Sequence, residues 1–288
     1  MQKIYILLPV HNRCAVTEKF IVCLAAQNYS NYHLILIDDG STDNTDQMAQ
    51  ARIRNITVLK GRGDWWWAGS LQQGINWLEK HRAEDRDIVL FANDDITFDA
   101  DFLQKAVGIL DNLEATLLLP YLRDEKTGLP QESGVEADLQ KLTFIPATSP
   151  DKINCLPTRG LFMRMADLRK VGNFHPKLLP HYLSDYEFTL RAHKKGLRLI
   201  TSAVITIQLD EKQTGFHSLN DLDLIDFIKR FFSKKYVSNP VYWSTFILLA
   251  IPKSRIPGHL FRLWVTTAKI LLFRCASSLR RQLRKGCA

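Results

Sequence analysis

Four short apolar runs, separated by helix-like stretches and mostly closed by polar clusters, govern what this chain can fold into. Ile4–Leu8 is predicted to be a strand, followed by a helix over Thr17–Gln27 with Phe20, Ile21, Leu24 and Ala25 on one face. A second strand over His33–Ile37 runs into the turn-forming DDGSTDNT and a helix over residues 44–52. Asn55–Leu59 and Ile88–Ala92 read as further strands, with a helix over Gly69–Lys80 between them. Asp99 is placed as the N-cap of a helix reaching Leu110. Such βαβα order implies a mostly parallel central sheet with helices on both faces and ligands at the carboxyl ends of its strands. The clusters HNR, DDGSTD and NDD all fall at those ends, so they are expected to share one site. Beyond residue 115 the pattern loosens: Leu117–Tyr121 and Leu197–Ile207 read as strands, and Arg164–Val171 and Asp185–Lys194 as short helices.

Charge divides the chain. The net charge is +8, yet residues 227–288 hold 13 Lys and Arg with no Asp or Glu, leaving a net of −5 on residues 1–226. A hydrophobic share of 46% excludes a disordered chain, and 288 residues suit one large α/β domain with an appendage. The five cysteines form no CxxC pair, so neither a zinc site nor a disulfide framework is implied. Cys14 and Cys23, nine residues apart on one helix, would lie on opposite faces and could not bond. A reduced, cytoplasmic setting is the expectation.

Six segments carry the chemistry: LPVHNR at 8–13, IDDGSTDNT at 37–45, WWWAGSLQQGI at 65–75, ANDDITFDADFL at 92–103, TRGLFMR at 158–164 and LSDYEFTLRAHKKG at 183–196. In this order the segments resemble the family 2 glycosyltransferases, inverting enzymes with the α/β GT-A fold, over about three quarters of the chain. The resemblance implies that Asp39 accepts the N3–H of a nucleobase, with Pro9, His11 and Arg13 lining the same pocket. A departing diphosphate calls for a hard divalent cation held by carboxylate oxygen, Mg²⁺ or Mn²⁺. Asn93-Asp94-Asp95 resembles the family's DXD motif, with Asn in its first position. Neighbouring side chains on an extended segment point opposite ways, so Asp95 is expected on the metal and Asp94 on ribose or sugar hydroxyls. Asp99 and Asp101 are expected to be solvated loop residues.

Inversion needs a general base at the acceptor hydroxyl. The family places it in an acidic pair opening a short helix, which maps to Asp185, with Ser184 replacing the first acid. Glu187, about 200° further round a helix, is expected to pair with Arg159 or Arg191 instead. Three adjacent tryptophans cannot all face one core. Packing against the core is one reading of them; the resemblance implies the other, with Trp67 as a wall of the donor-sugar pocket and Gly69 allowing close backbone approach. The resemblance also implies His217 at the diphosphate or metal, and Arg159 and Gly160 on the acceptor side.

These readings give a catalytic domain over 1–220, split into a nucleotide-binding half (1–115) and an acceptor-side half (116–220), and a helical tail over 221–288. The longest uncharged apolar stretch of the tail, Val241–Ile251, is far shorter than a membrane span needs. Its mixture of aromatic and basic residues fits amphipathic helices lying on an anionic membrane surface. The expected partners are a nucleotide-sugar donor, a saccharide acceptor linked to lipid, and the inner face of the cytoplasmic membrane. Packing of the tail on the catalytic domain or a homodimer interface is the alternative. No nucleic-acid motif accompanies the charge. A sugar nucleotidyltransferase would need a Gly-rich loop after the first strand, where PVHNR has no glycine.

Overall fold

The computed structural model describes residues 2–124, 127–131, 133–209 and 222–286, with side chains described as far as residue 277. The chain divides into two compact units, Met1–Pro180 with Ser184–Thr214, and His181–Leu183 with Gly215–Ala288.

The first unit opens with β1 (Ile4–Val10), α1 (Cys14–Ala25), β2 (Tyr32–Asp38), α2 (Thr45–Arg52), β3 (Ile56–Lys60), α3 (Trp66–Lys80) and β4 (Ile88–Phe91). There follow β5 (Ile96–Phe98), α4 (Phe102–Asp111), β6 (Thr116–Arg123), β7 (Pro130–Gln131), β8 (Val135–Asp138) and β9 (Thr143–Pro146). Then come β10 (Leu161–Arg164), α5 (Met165–Val171), α6 (Ser184–Lys194) and β11 (Arg198–Leu209). The main sheet runs β3-β2-β1-β4-β10-β6-β11-β5, with β7 pairing off β6 and β8-β9 forming a separate hairpin. Along that path only β10 and β5 run against the other six strands.

Residues of β1 are buried on both faces, which is why the run is continuously apolar rather than alternating. Ile4, Ile6 and Leu8 pack on Phe20, Ile21 and Leu24 of α1 and on Phe102 and Leu103 of α4. On the other face Tyr5 and Leu7 join Leu71, Ile75 and Leu78 of α3 and Phe188 of α6. The expected layering of helices on both faces of a mostly parallel sheet is the one observed.

Strand order reverses between β1 and β4, because β2 and β3 extend to one side and β4 to the other. Such a reversal opens a crevice at the carboxyl ends of the two strands.

Two expectations change. Helix α4 begins at Phe102, after Asp101, because the strand β5 occupies Ile96–Phe98. Asp99 therefore caps nothing, and its carboxylate pairs instead with Arg123 at 2.7 Å. The four described cysteines, Cys14, Cys23, Cys155 and Cys275, are free.

The second unit contains α7 (Leu224–Phe231), α8 (Pro240–Ala250) and α9 (Ile256–Gly286). Asp223 caps α7 by accepting the Asp226 N–H, and Asn239 caps α8 at Val241. Phe227 and Phe231 stack one turn apart, with the Arg274 guanidinium 4.7 Å from the Phe227 ring. Among the described residues no helix is long and apolar enough to cross a membrane.

Candidate active site

Arg13 follows β1, and Asp94 and Asp95 follow β4, so the switch in strand order brings a cation and two carboxylates together. Arg13 Nε donates to Asp94 Oδ2 at 2.9 Å, and its Nη2 reaches Asp95 Oδ2 at 3.4 Å. Asp94 and Asp95 form a turn rather than an extended segment, so the two carboxylates face the same guanidinium instead of diverging. Thr17, on the first turn of α1, adds its hydroxyl to Asp94 Oδ2 at 3.1 Å. This contact escaped sequence reasoning, although Thr17 lies one helical turn beyond Arg13.

Burial pushes the Asp94 carboxyl up to about 6; the nearby charge of Asp95 raises it further, while Arg13 and Thr17 oppose the rise. The folded state thus holds this proton more tightly than the unfolded chain, so the group destabilises the fold as pH rises toward 6 and most above it. Ionised Asp94 is the form that accepts hydroxyl hydrogens at both oxygens. With Asp94 in the role the resemblance implies, on ribose or sugar hydroxyls, nucleotide affinity is expected to fall by about tenfold between pH 7 and pH 5. Calorimetry on the wild type and on Asp94→Asn separates this slope from titration of the phosphate itself, and parallel profiles would refute it.

The same corner offers oxygen to a cation. Asn93 Oδ1 and Asp95 Oδ1 are buried and accept no hydrogen bond from the described residues. Orphaned acceptors of this kind fit a divalent ion, which Mg²⁺-type sites hold with one or two carboxylates plus substrate phosphates. Among the described residues no cluster of three or more His, Cys, Asp or Glu is poised as a complete cage. His217 lies outside the described residues.

Asp39 directly follows β2 and is almost wholly buried. Its Oδ1 accepts the Gly63 N–H at 2.8 Å, and its Oδ2 accepts those of Trp65 and Trp66 at 2.9 and 3.1 Å. Three backbone donors leave room for about one more, since a carboxylate offers roughly four acceptor sites. The cradle depends on Gly61, where a Cβ would stand 2.4 Å from Asp39 Oδ1 and 2.8 Å from Trp65 Cε3. His11 is exposed, and its Nδ1 donates to the Asp39 carbonyl at 2.7 Å. Pro9, half-buried in β1, pairs in register with Ile37 beside this corner. His11 and Pro9 thus lie by Asp39, whereas Arg13, expected in the same pocket, is engaged by Asp94 and Asp95 instead, and the amide cradle around Asp39 had no local signal.

Trp65 and Trp67 are half-buried and pack against the core beneath α3. The space in front of Gly69 is taken by the chain itself, Trp65 Cβ and Pro176 Cβ lying 3.3 and 3.7 Å from a Cβ placed there. Close approach of a ligand to Gly69, expected from sequence, is therefore blocked by these two side chains.

On the other side of the sheet edge, Gly160 (φ +86°) donates its N–H to Phe91 O at 2.9 Å, which sets Arg159 beside the end of β4. Asp185 stands in the first turn of α6, half-buried, with Oδ1 accepting the Tyr186 N–H at 2.9 Å. Burial raises its carboxyl above the ordinary aspartate range, opposed by the Tyr186 amide and by the charge of Arg159. Thr189 Oγ1 bridges the Leu156 carbonyl (2.8 Å) and the Asp185 carbonyl (3.1 Å), tying this turn to the segment before Arg159. Glu187 is occupied elsewhere: both its oxygens meet Arg191 at 2.9 Å. Of the two arginines considered for it, Arg191 is the partner.

This arrangement offers a buried carboxylate cradled by backbone amides, a carboxylate pair beside the unsatisfied Oδ1 atoms of Asn93 and Asp95, and a separate raised carboxyl across the edge of one sheet. Solved structures share the architecture. TarS of S. aureus (residues 1–349, with UDP-GlcNAc) matches at TM-score 0.58 and 19% identity, over 99% of this chain and 92% of that one. The chain spans 50% of the longer S. aureus TarS structure. The mannosyltransferase PcManGT of Pyrobaculum calidifontis, with GDP-Man and Mn²⁺, matches at TM-score 0.56 and 15% identity, over 96% and 87% of the two chains. GalNAc-T7, with UDP, GalNAc and Mn²⁺, matches at TM-score 0.59 and 11% identity, over 84% and 55%. At such identities these neighbours show the fold, which is the GT-A fold expected from the motifs. No curated protein matches the sequence. The model of the family named glycosyl transferase family 2 matches residues 5–167, and the chain belongs to that family.

Proposed function

We propose that the protein transfers a sugar, with inversion, from a nucleoside-diphosphate donor to an acceptor hydroxyl. The observation that carries this reading is the convergence of Arg13, Asp94 and Asp95 at the strand-order reversal, with Asp185 on a different element. Asp39 would take the nucleobase N–H beside Pro9 and His11, and Trp67 would border the donor sugar. Asp94 would hold ribose or sugar hydroxyls. Asp95, helped by Asn93 Oδ1, would hold Mg²⁺ or Mn²⁺, which when bound neutralises charge on the diphosphate.

Asp185 removes the acceptor proton as the acceptor oxygen forms its bond to the anomeric carbon. The bond from that carbon to the diphosphate oxygen breaks on the opposite face, and the diphosphate leaves with the electron pair. Neighbours crystallised with UDP-GlcNAc or GDP-Man support a nucleotide-sugar donor without selecting the base.

The tail supports a membrane-facing acceptor, a lipid-linked saccharide at the inner face of the cytoplasmic membrane. On α9, Phe261, Trp264, Val265 and Leu272 fall on one face at i, i+3, i+4 and i+11, all exposed, with Phe261 at 73% and Leu272 at 70%. Arg262 and Lys269 flank this stripe. Such a face suits the headgroup boundary of an anionic bilayer.

Calorimetric titration with UDP, dTDP and GDP, each with and without Mn²⁺, tests the core of the reading. Metal-dependent binding of one nucleotide is expected, and binding of none would refute it. Co-sedimentation should occur with anionic vesicles, weaken with salt, and fail with phosphatidylcholine alone. Absence of binding to both vesicle types would remove the membrane part.

A further inference from the structure

A cleft of about 300 Å³ lies on the acceptor side of the first unit. That is the lower end of the range for small-molecule pockets, enough for a ring or a short chain. Its walls are apolar: Leu119 and Leu122 from β6, Val135 from β8, Ile145 and Pro146 from β9, and Ile207 from β11. Three side chains break that character: Ser133, whose hydroxyl donates to the Pro120 carbonyl at 2.6 Å, Arg159 and Tyr186. Phe144 stacks on the Tyr186 ring at 5.0 Å, which joins the hairpin to the first turn of α6.

The Arg159 guanidinium makes no hydrogen bond or ion pair with any described residue, and its charge is felt at Asp185. Five donors in a fixed fork, set in an apolar wall, call for an anion. A neutral sugar would bury hydroxyls against walls that offer them few partners, at the cost of unmade hydrogen bonds. Gly160, next to Arg159, packs on the lining residue Pro120, whose Cγ would stand 3.2 Å from a Cβ there, and its N–H is bonded to the end of β4. The cleft therefore adjoins both the β4 terminus and Asp185.

We infer that this cleft receives an acceptor with an apolar body and an anionic group, the anion on Arg159 and the hydroxyl toward Asp185. The inference rests on the transferase reading above and narrows its acceptor to an anionic amphiphile rather than the neutral end of a polysaccharide.

Titration of the full-length protein with hexyl phosphate, hexyl glucoside and inorganic phosphate tests it without catalysis. Hexyl phosphate should bind about tenfold or more tighter than either of the others, the order expected of a desolvated charge-assisted contact added to apolar burial. Arg159→Gln should erase its preference over hexyl glucoside, and Arg159→Lys should restore part of it. Ile145→Asp, at a half-exposed position that tolerates the change, should weaken hexyl phosphate and leave inorganic phosphate unaltered. Equal affinity for the three probes, or stronger binding of hexyl glucoside, would overturn the inference. So would hexyl phosphate binding untouched by all three variants, which would place it on the basic tail. Mn²⁺-dependent nucleotide binding on the same samples separates the two proposals: its survival beside a failed hexyl phosphate titration sinks the cleft alone, and the converse sinks the transferase reading.

Discussion

Asp185→Asn is expected to slow sugar transfer by about 10²–10⁴-fold while nucleotide affinity stays unchanged, the usual cost of losing a positioned general base. The amide keeps the shape of the carboxyl and can still accept the Tyr186 N–H, so the first turn of α6 should persist. What disappears is the ionised oxygen proposed to take the acceptor proton. The raised titration of Asp185 adds a second signature. Its ionised form is required, so the wild-type rate should fall on the acid side at a pH above the ordinary aspartate range. That limb should vanish from the residual rate of the variant. Initial rates across pH, with calorimetry on the same protein, check both points. Transfer at the wild-type rate would move the base elsewhere, and Glu187 could not replace it while both its oxygens hold Arg191.

How much of this was legible depends on whether a signal was local. The strands β1 to β4 follow from apolar runs bounded by turn residues, and the clusters after β1, β2 and β4 fall where parallel strands end. The Glu187–Arg191 pair is likewise local, at the i,i+4 spacing of a helix. Strand β10 was missed because its four residues have no period, and β4 and β6 define it from opposite sides. Strand β5 has three residues pressed against an acidic turn, too few to show alternation, and it pairs with distant β11. The divergence expected of Asp94 and Asp95 assumed an extended backbone, whereas the chain turns there and both side chains meet Arg13. The cradle around Asp39 closes across 24 to 27 residues, a distance at which pattern carries no information.

Asp95→Asn is the sharper test of the metal assignment, because it removes charge from a position where the protein itself gives little compensation. Among the described residues Asp95 Oδ1 has no hydrogen-bond partner, and Oδ2 has only the 3.4 Å contact to Arg13. Asp94 holds Arg13 more closely, at 2.9 Å, and would keep it. The charge of Asp95 also helps raise the Asp94 carboxyl, so neutralising it should let Asp94 titrate lower and ionise more readily near pH 6. The substitution is therefore expected to leave the melting temperature unchanged or raise it. Binding with Mn²⁺ should behave oppositely. A cation's charge stabilisation amounts to several kcal/mol, and tenfold is about 1.4 kcal/mol. The Mn²⁺-dependent part of nucleotide affinity should thus fall by about a hundredfold or more, while metal-free binding persists. If Asp95→Asn binds nucleotide as the wild type does, with and without Mn²⁺, Asp95 is not the ligand. If affinity falls equally in both conditions, Asp95 contacts the nucleotide directly, and the cation has to be sought beyond this pair.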